Sequence, residues 1–313
     1  MYQAVETDCD PIPGFSATSR KHVAVMADEV VRLVAPCQPR LIVDVTVGTG
    51  EHAERLLTAT DAQLIGIDRD EAALEVAGQR LARFGSRINL HHADFRDIDI
   101  ILAQLGICTA DAIIADLGLS SFALDDPERG FSFAADGPLD MRMDRRQKLR
   151  AYDIVNEESE EELARIFRDF GEERGARQIA RAIVGARRHR PLETTTELAR
   201  VVIGALGGRR VGAINPATRA FQALRIAVNR ELDSLNVLLE KAPLRLASGG
   251  RLVVLAYHSL EDRPVKQKFR DLAKTGEFAA ITRKALRPAS EEVVANRRAR
   301  SARLRCLERV GRS

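Results

Sequence analysis

Four short runs of mostly branched apolar residues recur between positions 41 and 116, each separated from the next by a helical pattern. The runs are Leu41 to Val45, Gln63 to Asp68, Ile88 to His92 and Asp111 to Asp116, and the helical segments fall near 52–59, 70–83 and 97–105. Successive strands are too far apart in sequence for hairpins, and a helical crossover brings the chain back in the parallel sense. A parallel sheet must be covered by helices on both faces. The alternation therefore restricts this region to an α/β, doubly wound, Rossmann-like sheet, with any ligand site outside the carboxyl ends of its strands. Four acids stand at or just after those ends: Asp44, Asp68, Asp94 and Asp116.

The first strand runs through Gly48 and Gly50 into a helix, and glycines there let a ligand approach the backbone at the helix N-terminus. A dinucleotide site would place its first glycine directly after the strand and its third where this chain has Ala53. Asp44 would also face the phosphates, so an NAD-dependent oxidoreductase is disfavoured. S-Adenosylmethionine has no phosphate and carries a sulfonium and an ammonium, which suits an acidic cradle. Asp68 would accept its ribose hydroxyls, and Asp94 with Phe95 would hold its adenine. The tandem resembles the class I methyltransferase pattern. Methyl transfer is an in-line displacement, so alignment supplies much of its catalysis. If the nucleophile is an exocyclic amine, acceptors at Asp116 and the Leu117 carbonyl would draw its N–H groups out of plane and restore its lone pair. His258 is a candidate to take the released proton, and a core histidine in an apolar strand is the other reading of that residue.

The stretch Asp125 to Asp144, DDPERGFSFAADGPLDMRMD, has neither helical nor strand periodicity. Loops this long inside compact domains are usually functional or disordered, and the apolar anchors Phe131, Phe133, Leu139, Met141 and Met143 argue against disorder. The loop is expected to wall the acceptor pocket, with Arg129, Asp140 and Arg142 as candidates for holding the substrate base or ordering the loop. Helical patterns follow. Ser159 with Glu162 forms a capping box ahead of an apolar stripe that stops near Gly171, and Thr194 with Glu197 caps another helix. Asn215-Pro216 opens a longer helix through Phe221, Leu224, Val228, Leu232, Leu235 and Leu239. The run Leu252 to Tyr257 reads as a further buried parallel strand. Three parts result: a tail, 1–21; a discontinuous methyltransferase domain, 22–124 and 216–313; and an inserted all-helical substrate-binding domain, 125–215.

Cys9, Cys37, Cys108 and Cys306 have no metal-ligand spacing, so neither a metal site nor a disulfide framework is expected. No run is long enough to span a membrane and the N-terminus lacks signal-peptide character, so the expected compartment is the cytoplasm. The net charge is only +3, yet residues from Lys274 onward hold eleven Lys or Arg against four acids. That tail, with Arg297, Arg298, Arg300, Arg303, Arg305 and Arg309, is suited to neutralising phosphates.

The chain resembles the RsmH/MraW family of bacterial small-subunit ribosomal RNA cytosine-N4 methyltransferases from about His22 through Arg309. The resemblance is carried by DLGLSS at 116–121, DDPERGFSF at 125–133, DGPLDMRMD at 136–144, GEER at 171–174, PATRAFQALRIAVNREL at 216–232, HSLEDR at 258–263 and RARSARLR at 298–305. It implies N4-methylation of a cytidine in the decoding centre of 16S rRNA in the small ribosomal subunit, with S-adenosylmethionine as donor. It also implies cofactor contacts at Gly50, Glu51, His52, Asp68, Phe95 and Asp116, alongside Gly48 in the glycine turn, and rRNA phosphate contacts from the basic tail. Three departures stand out. Glu51 replaces a glycine of the usual Gly-Gly-His. Phe122-Ala123 replaces Pro-Gln, so a cofactor-contacting Gln is absent at Ala123. The stretch after HSLEDR is shorter than usual. Glu51 and Ala123 motivate a second reading, an RNA-binding or ribosome-assembly factor with weak or no methyl transfer. A homodimer is left open.

Overall fold

The computed structural model describes residues 24–207 and 215–311; the expected tail, 1–21, lies outside them. Seven strands form one sheet: β1 Leu41–Asp44, β2 Gln63–Asp68, β3 Ile88–His92, β4 Ala110–Asp116, β5 Leu246–Ala256, β6 Phe278–Ala280 and β7 Arg303–Arg309. Their order is β3-β2-β1-β4-β5-β7-β6. The pairs from β3 to β5 are parallel, whereas β7 runs antiparallel to both β5 and β6. This order departs from the dinucleotide-binding 3-2-1-4-5-6, and the inserted antiparallel strand makes it the class I methyltransferase sheet. The order reverses between β1 and β4, the switch point at which open α/β sheets bind ligands.

Alternation along the strands decides which helices cover which face. Ile42, Ile114 and Leu255 point into one core with α1 (Ala27–Val34), α2 (Glu51–Ala59) and α3 (Glu71–Leu81). Val43, Ile113 and Val254 point into the other, covered first by α4 (Ile98–Gln104). The short α5 (Ser121–Asp125) then leads into an insert built from α6 (Ala151–Glu157), α7 (Glu160–Gly171), α8 (Ala176–Arg187), α9 (Thr195–Ala205) and α10 (Ala217–Asn229). Helices α11 (Glu231–Lys241) and α12 (Ser259–Lys274) return to the α4 face, and α13 (Ser290–Ala295) precedes β7. No described helix is long and apolar enough to cross a membrane.

The insert has its own core, in which Phe131, Leu139 and Met141 of the long loop pack with Phe167, Ile179 and Phe221. The loop crosses itself tightly: a Cβ on Gly130 would collide with the Pro138 carbonyl, and one on Gly137 with that of Pro127. Gly130 also holds a φ of 68°, which glycine adopts without penalty.

The structure corrects several sequence expectations. The long helix from Pro216 is two helices, because Arg230 between them is left-handed at φ 48°. Asn229 explains the break. Its carbonyl accepts from Arg69 at 2.9 Å rather than continuing the helix, while its buried amide donates to Met141 O and its Oδ1 accepts from Met143 N–H, both at 2.8 Å. Since Ala217 to Val228 packs in the insert core, we place the domain boundary at Arg230 rather than at 215/216. The helix ends at Gly171, as expected, but the left-handed cap is Glu172, at φ 47°, and a Cβ on Gly171 would lie 2.8 Å from Arg219 O in the neighbouring α10. Ser159 caps from one side only, since Glu162 turns to Arg165 at 2.7 Å, whereas Thr194 and Glu197 form the full box. Asn215 Oδ1 accepts from Ala217 N–H at 2.9 Å, as an N-cap before proline should.

Candidate active site

The turn after β1 is set by two left-handed glycines, Gly48 at φ 52° and Gly50 at φ 85°, the second as N-cap of α2. Gly48 N–H donates to Asp68 Oδ2 at 2.8 Å, and Asp70 N–H donates to Asp68 Oδ1 at 2.9 Å. Burial raises the Asp68 carboxyl above its usual value against these two amides. Gly50 itself faces Leu81, 3.2 Å from where a Cβ would stand, so its role is the turn and the packing of α2 on α3.

A cleft of about 890 Å³ opens beyond the ends of β1 and β4. Of the residues expected to hold a cofactor, Gly48, Glu51, His52, Asp68, Phe95, Asp116 and Ala123 line it and Gly50 does not. Asp44 and Asp94 do not line it either. Asp94 caps the short turn after β3, accepting from Arg96 N–H at 3.0 Å and from Ser234 Oγ at 3.1 Å. Burial works against its charge, but Arg69 and Arg96 hold the carboxyl below its usual value. It is therefore committed within the protein, and the expected hydrogen bond to adenine is not available from this position.

The cleft floor is a cluster of coupled groups. Asp116 is anchored by its N–H, which donates to Thr46 Oγ1 at 2.6 Å, and its Oδ2 lies 3.4 Å from His52 Nε2. The partly buried Tyr257 stands beside Asp116, and burial followed by that carboxylate pushes its phenol well above its usual value. Burial alone would lower the His52 imidazole, but Asp116, Asp44 and Glu51 outweigh it and hold it above its usual value. Asp44 lies beneath; burial pushes its carboxyl up to about 7 despite His52 and the Thr46 N–H. Both ring nitrogens of His52 lack a hydrogen-bond partner among the described residues. A buried imidazole that lines a cleft beside a carboxylate, with neither ring nitrogen in a hydrogen bond, is suited to a polar ligand.

The sequence profile of the MraW methylase family matches residues 19–310. The chain belongs to that family. Three proteins named ribosomal RNA small subunit methyltransferase H are similar over nearly their whole length. That of Syntrophotalea carbinolica is 49% identical, covering 93% of this chain and 98% of that one. The Sorangium cellulosum protein is 46% identical over 96% and 95%, and the Cyanothece protein 48% over 92% and 95%. A solved rRNA methylase from Streptococcus thermophilus matches with a TM-score of 0.40 at 14% identity, covering 91% of this chain and 94% of that one; at that distance it adds nothing to the fold read from the sheet order.

A MraW methylase of this fold uses S-adenosylmethionine, and the cleft fits it: Asp68 at the second strand end, the apolar Phe95 face and His52, whose ring nitrogens make no hydrogen bond among the described residues, all line one cavity. Glu51, which this chain has in place of a glycine, is turned to Arg80 at 3.2 Å. Ala123 lines the cleft but is only 1% exposed and also packs in the insert core.

Four other expectations change. His258 is not among the cleft residues; it precedes α12 with Nε2 3.1 Å from Glu261 Oε1, off the line of a hydrogen bond. Arg129 is buried and paired with Asp70 at 2.9 Å, and it donates to the Arg142 and Met143 carbonyls at 3.1 Å. Asp140 and Arg142 are bound to each other at 2.8 Å through both carboxylate oxygens. All three order the loop rather than face the cleft, to which the loop contributes Asp125, Asp126 and Met143. In the basic tail, Arg303 and Arg305 are spent on Asp262 at 2.9 and 2.7 Å and Arg309 on Leu246 O, because the segment is strand β7. Arg297 and Arg300 remain exposed.

Sequence reasoning missed Thr46, Arg80, Arg225 and Tyr257, all of which line the cleft. Tyr257 carried a signal, a hydroxyl just past the carboxyl end of an apolar strand. Arg225 lay hidden in a helical stripe, and only its pairing with Glu231 at 2.9 Å explains a charge there.

Proposed function

We propose that this chain methylates the exocyclic N4 of a cytidine in the decoding centre of 16S rRNA, within the small ribosomal subunit, using S-adenosylmethionine. The observation that carries the reading is Asp116, whose backbone N–H is held by Thr46 and which lines the same cleft as the cofactor-fitting residues. The relatives' name, ribosomal RNA small subunit methyltransferase H, supports the class of acceptor. When bound, S-adenosylmethionine supplies an electrophilic methyl group on a sulfonium.

The chain's task is then to position and activate a weak nucleophile, the cytosine amine, whose lone pair is delocalised into the ring. Asp116 and the Leu117 carbonyl accept its two N–H groups and hold the nitrogen with its lone pair directed at the donor. Thr46 holds the Asp116 backbone and Tyr257 stands beside its carboxylate, so that little reorientation is needed at the moment of transfer. The Asp116 carboxylate stabilises the cation that forms before the amine loses its proton. Arg297 and Arg300, exposed beside the cleft-lining Arg298, serve the RNA backbone.

The test is methyl transfer from labelled cofactor to 30S particles lacking the modification, followed by mass spectrometry of the nucleosides. N4-methylcytidine is expected with the native chain and not with Asp116→Ala. A folded protein that binds the cofactor yet transfers nothing, or methylates another atom, refutes the reading.

A further inference from the structure

Phe122 departs from its family's proline, and the structure leaves its large apolar side chain 40% exposed. It also lines the cleft, so an exposed ring there stands at the mouth. Its ring has no aromatic or cationic partner among the described residues, in contrast to Phe133, which packs on Phe221, and Phe95, which Arg69 covers. Nothing in the helix requires it, since α5 spans only Ser121–Asp125 and is capped by Ser120 accepting from Ala123 N–H.

The surroundings are those of a nucleic-acid entrance. From α5, Asp125 pairs with Arg298 at 2.7 Å, which ties the phenyl-bearing turn to the segment carrying exposed Arg297 and Arg300. An unpaired ring whose helix is tied to an arginine-bearing segment matches the chemistry that reads single-stranded RNA, in which bases stack on aromatic faces while the backbone follows positive charge. The cofactor's adenine is the competing occupant, but Phe95 is already placed for it, 7% exposed and following β3.

We propose that Phe122 is a stacking platform for an unpaired base of the acceptor RNA as the strand enters the cleft. The inference rests on RNA being the acceptor, and it makes Phe122 a determinant of substrate affinity specific to this chain rather than part of the transfer step.

The chain contains no tryptophan, so Phe122→Trp introduces a single emitter at the site. Its fluorescence is expected to be quenched by unmodified 30S particles or by a single-stranded RNA carrying the acceptor cytidine, and to change little with S-adenosylmethionine alone. Kinetically, Phe122→Ala raises KM for 30S particles roughly tenfold or more, with kcat and calorimetric cofactor affinity within about twofold. Phe122→Leu stays impaired, while Phe122→Tyr and the Trp variant restore KM. A response to cofactor but not to RNA, an unchanged KM in Phe122→Ala, or full rescue by Leu overturns the proposal. If the native chain transfers no methyl group but RNA still quenches the Trp variant, the functional reading fails and the platform stands.

Discussion

Replacing Arg129 by Met separates the two roles that the sequence leaves open for this residue, holding substrate or ordering the loop. The side chain is 3% exposed and faces the equally buried Asp70. Removing one partner of a buried pair leaves an uncompensated charge and costs about 3–5 kcal/mol. Met keeps most of the volume, so little of that loss comes from a cavity. The Arg142 and Met143 carbonyls also lose their donor, which accounts for a further ~1 kcal/mol each where water cannot replace it. Arg129→Lys keeps the charge but not a planar fork that reaches Asp70 and two carbonyls together, so an intermediate loss is expected. Urea unfolding of the single variants, of Asp70→Asn and of the double variant gives the coupling directly, and a favourable coupling of at least about 2 kcal/mol is expected. If Arg129→Met unfolds within about 1 kcal/mol of the native chain while its KM for 30S particles rises tenfold, the residue holds substrate and the latch is wrong.

Asp44 makes stability depend on pH. Its folded value of about 7 lies above the ordinary 3.8, so the folded state binds the proton more tightly. The associated stability is complete below the unfolded value and is lost as pH rises through 7. Measured against Asp44→Asn, the native chain should lose up to about 4 kcal/mol between pH 4 and 8, and parallel profiles of the two proteins would contradict this. Tyr257→Phe keeps the ring, 2.7 Å from where a Gly118 Cβ would stand, but removes the donor to Asp116. A loss of roughly tenfold or more in kcat is expected, with cofactor affinity unchanged by calorimetry. Glu51→Gly restores the family residue and removes a partly exposed pair with Arg80. Calorimetry should show cofactor affinity within about threefold of the native chain, because Arg80 already neutralises that charge.

The sheet was legible because its signal is local: four apolar runs with helices between them leave little choice of topology. β7 was not, because Arg303, Arg305, Glu308 and Arg309 look like a solvated face until Asp262, Arg251 and Leu246 O are found opposite them. The same limit governs the site. Residues whose place follows from a strand end, such as Asp68 and Asp116, were found from position alone. Asp94 also stands after a strand, yet its orientation depends on Arg96 and Ser234, and Ser234 is 140 residues away. Arg129, Asp140 and Arg142 sit in the most distinctive stretch of the chain, but distinctiveness there reflects a loop that must cross itself at Gly130 and Gly137 and be pinned by Asn229.

The departures that motivate a non-catalytic reading bear differently on that question once their surroundings are known. Glu51 adds a carboxylate, but Arg80 lies 3.2 Å away and Thr49 Oγ1 at 3.4 Å, so the cleft gains an ion pair rather than a bare charge. Ala123 gives up a hydrogen bond worth about 0.5–1.5 kcal/mol, a loss of at most about tenfold in cofactor affinity, and its methyl group is accommodated in the insert core. Neither change replaces Asp116, His52, Tyr257 or Thr46, and an assembly factor released from catalysis would have no need of an Asp116 whose backbone Thr46 holds at the cleft floor. Phe122 is 40% exposed and lines the cleft, where a large apolar ring is of use to an entering ligand. Of the departures, Phe122 is the one placed to meet the RNA proposed above, and the cleft floor keeps Asp116.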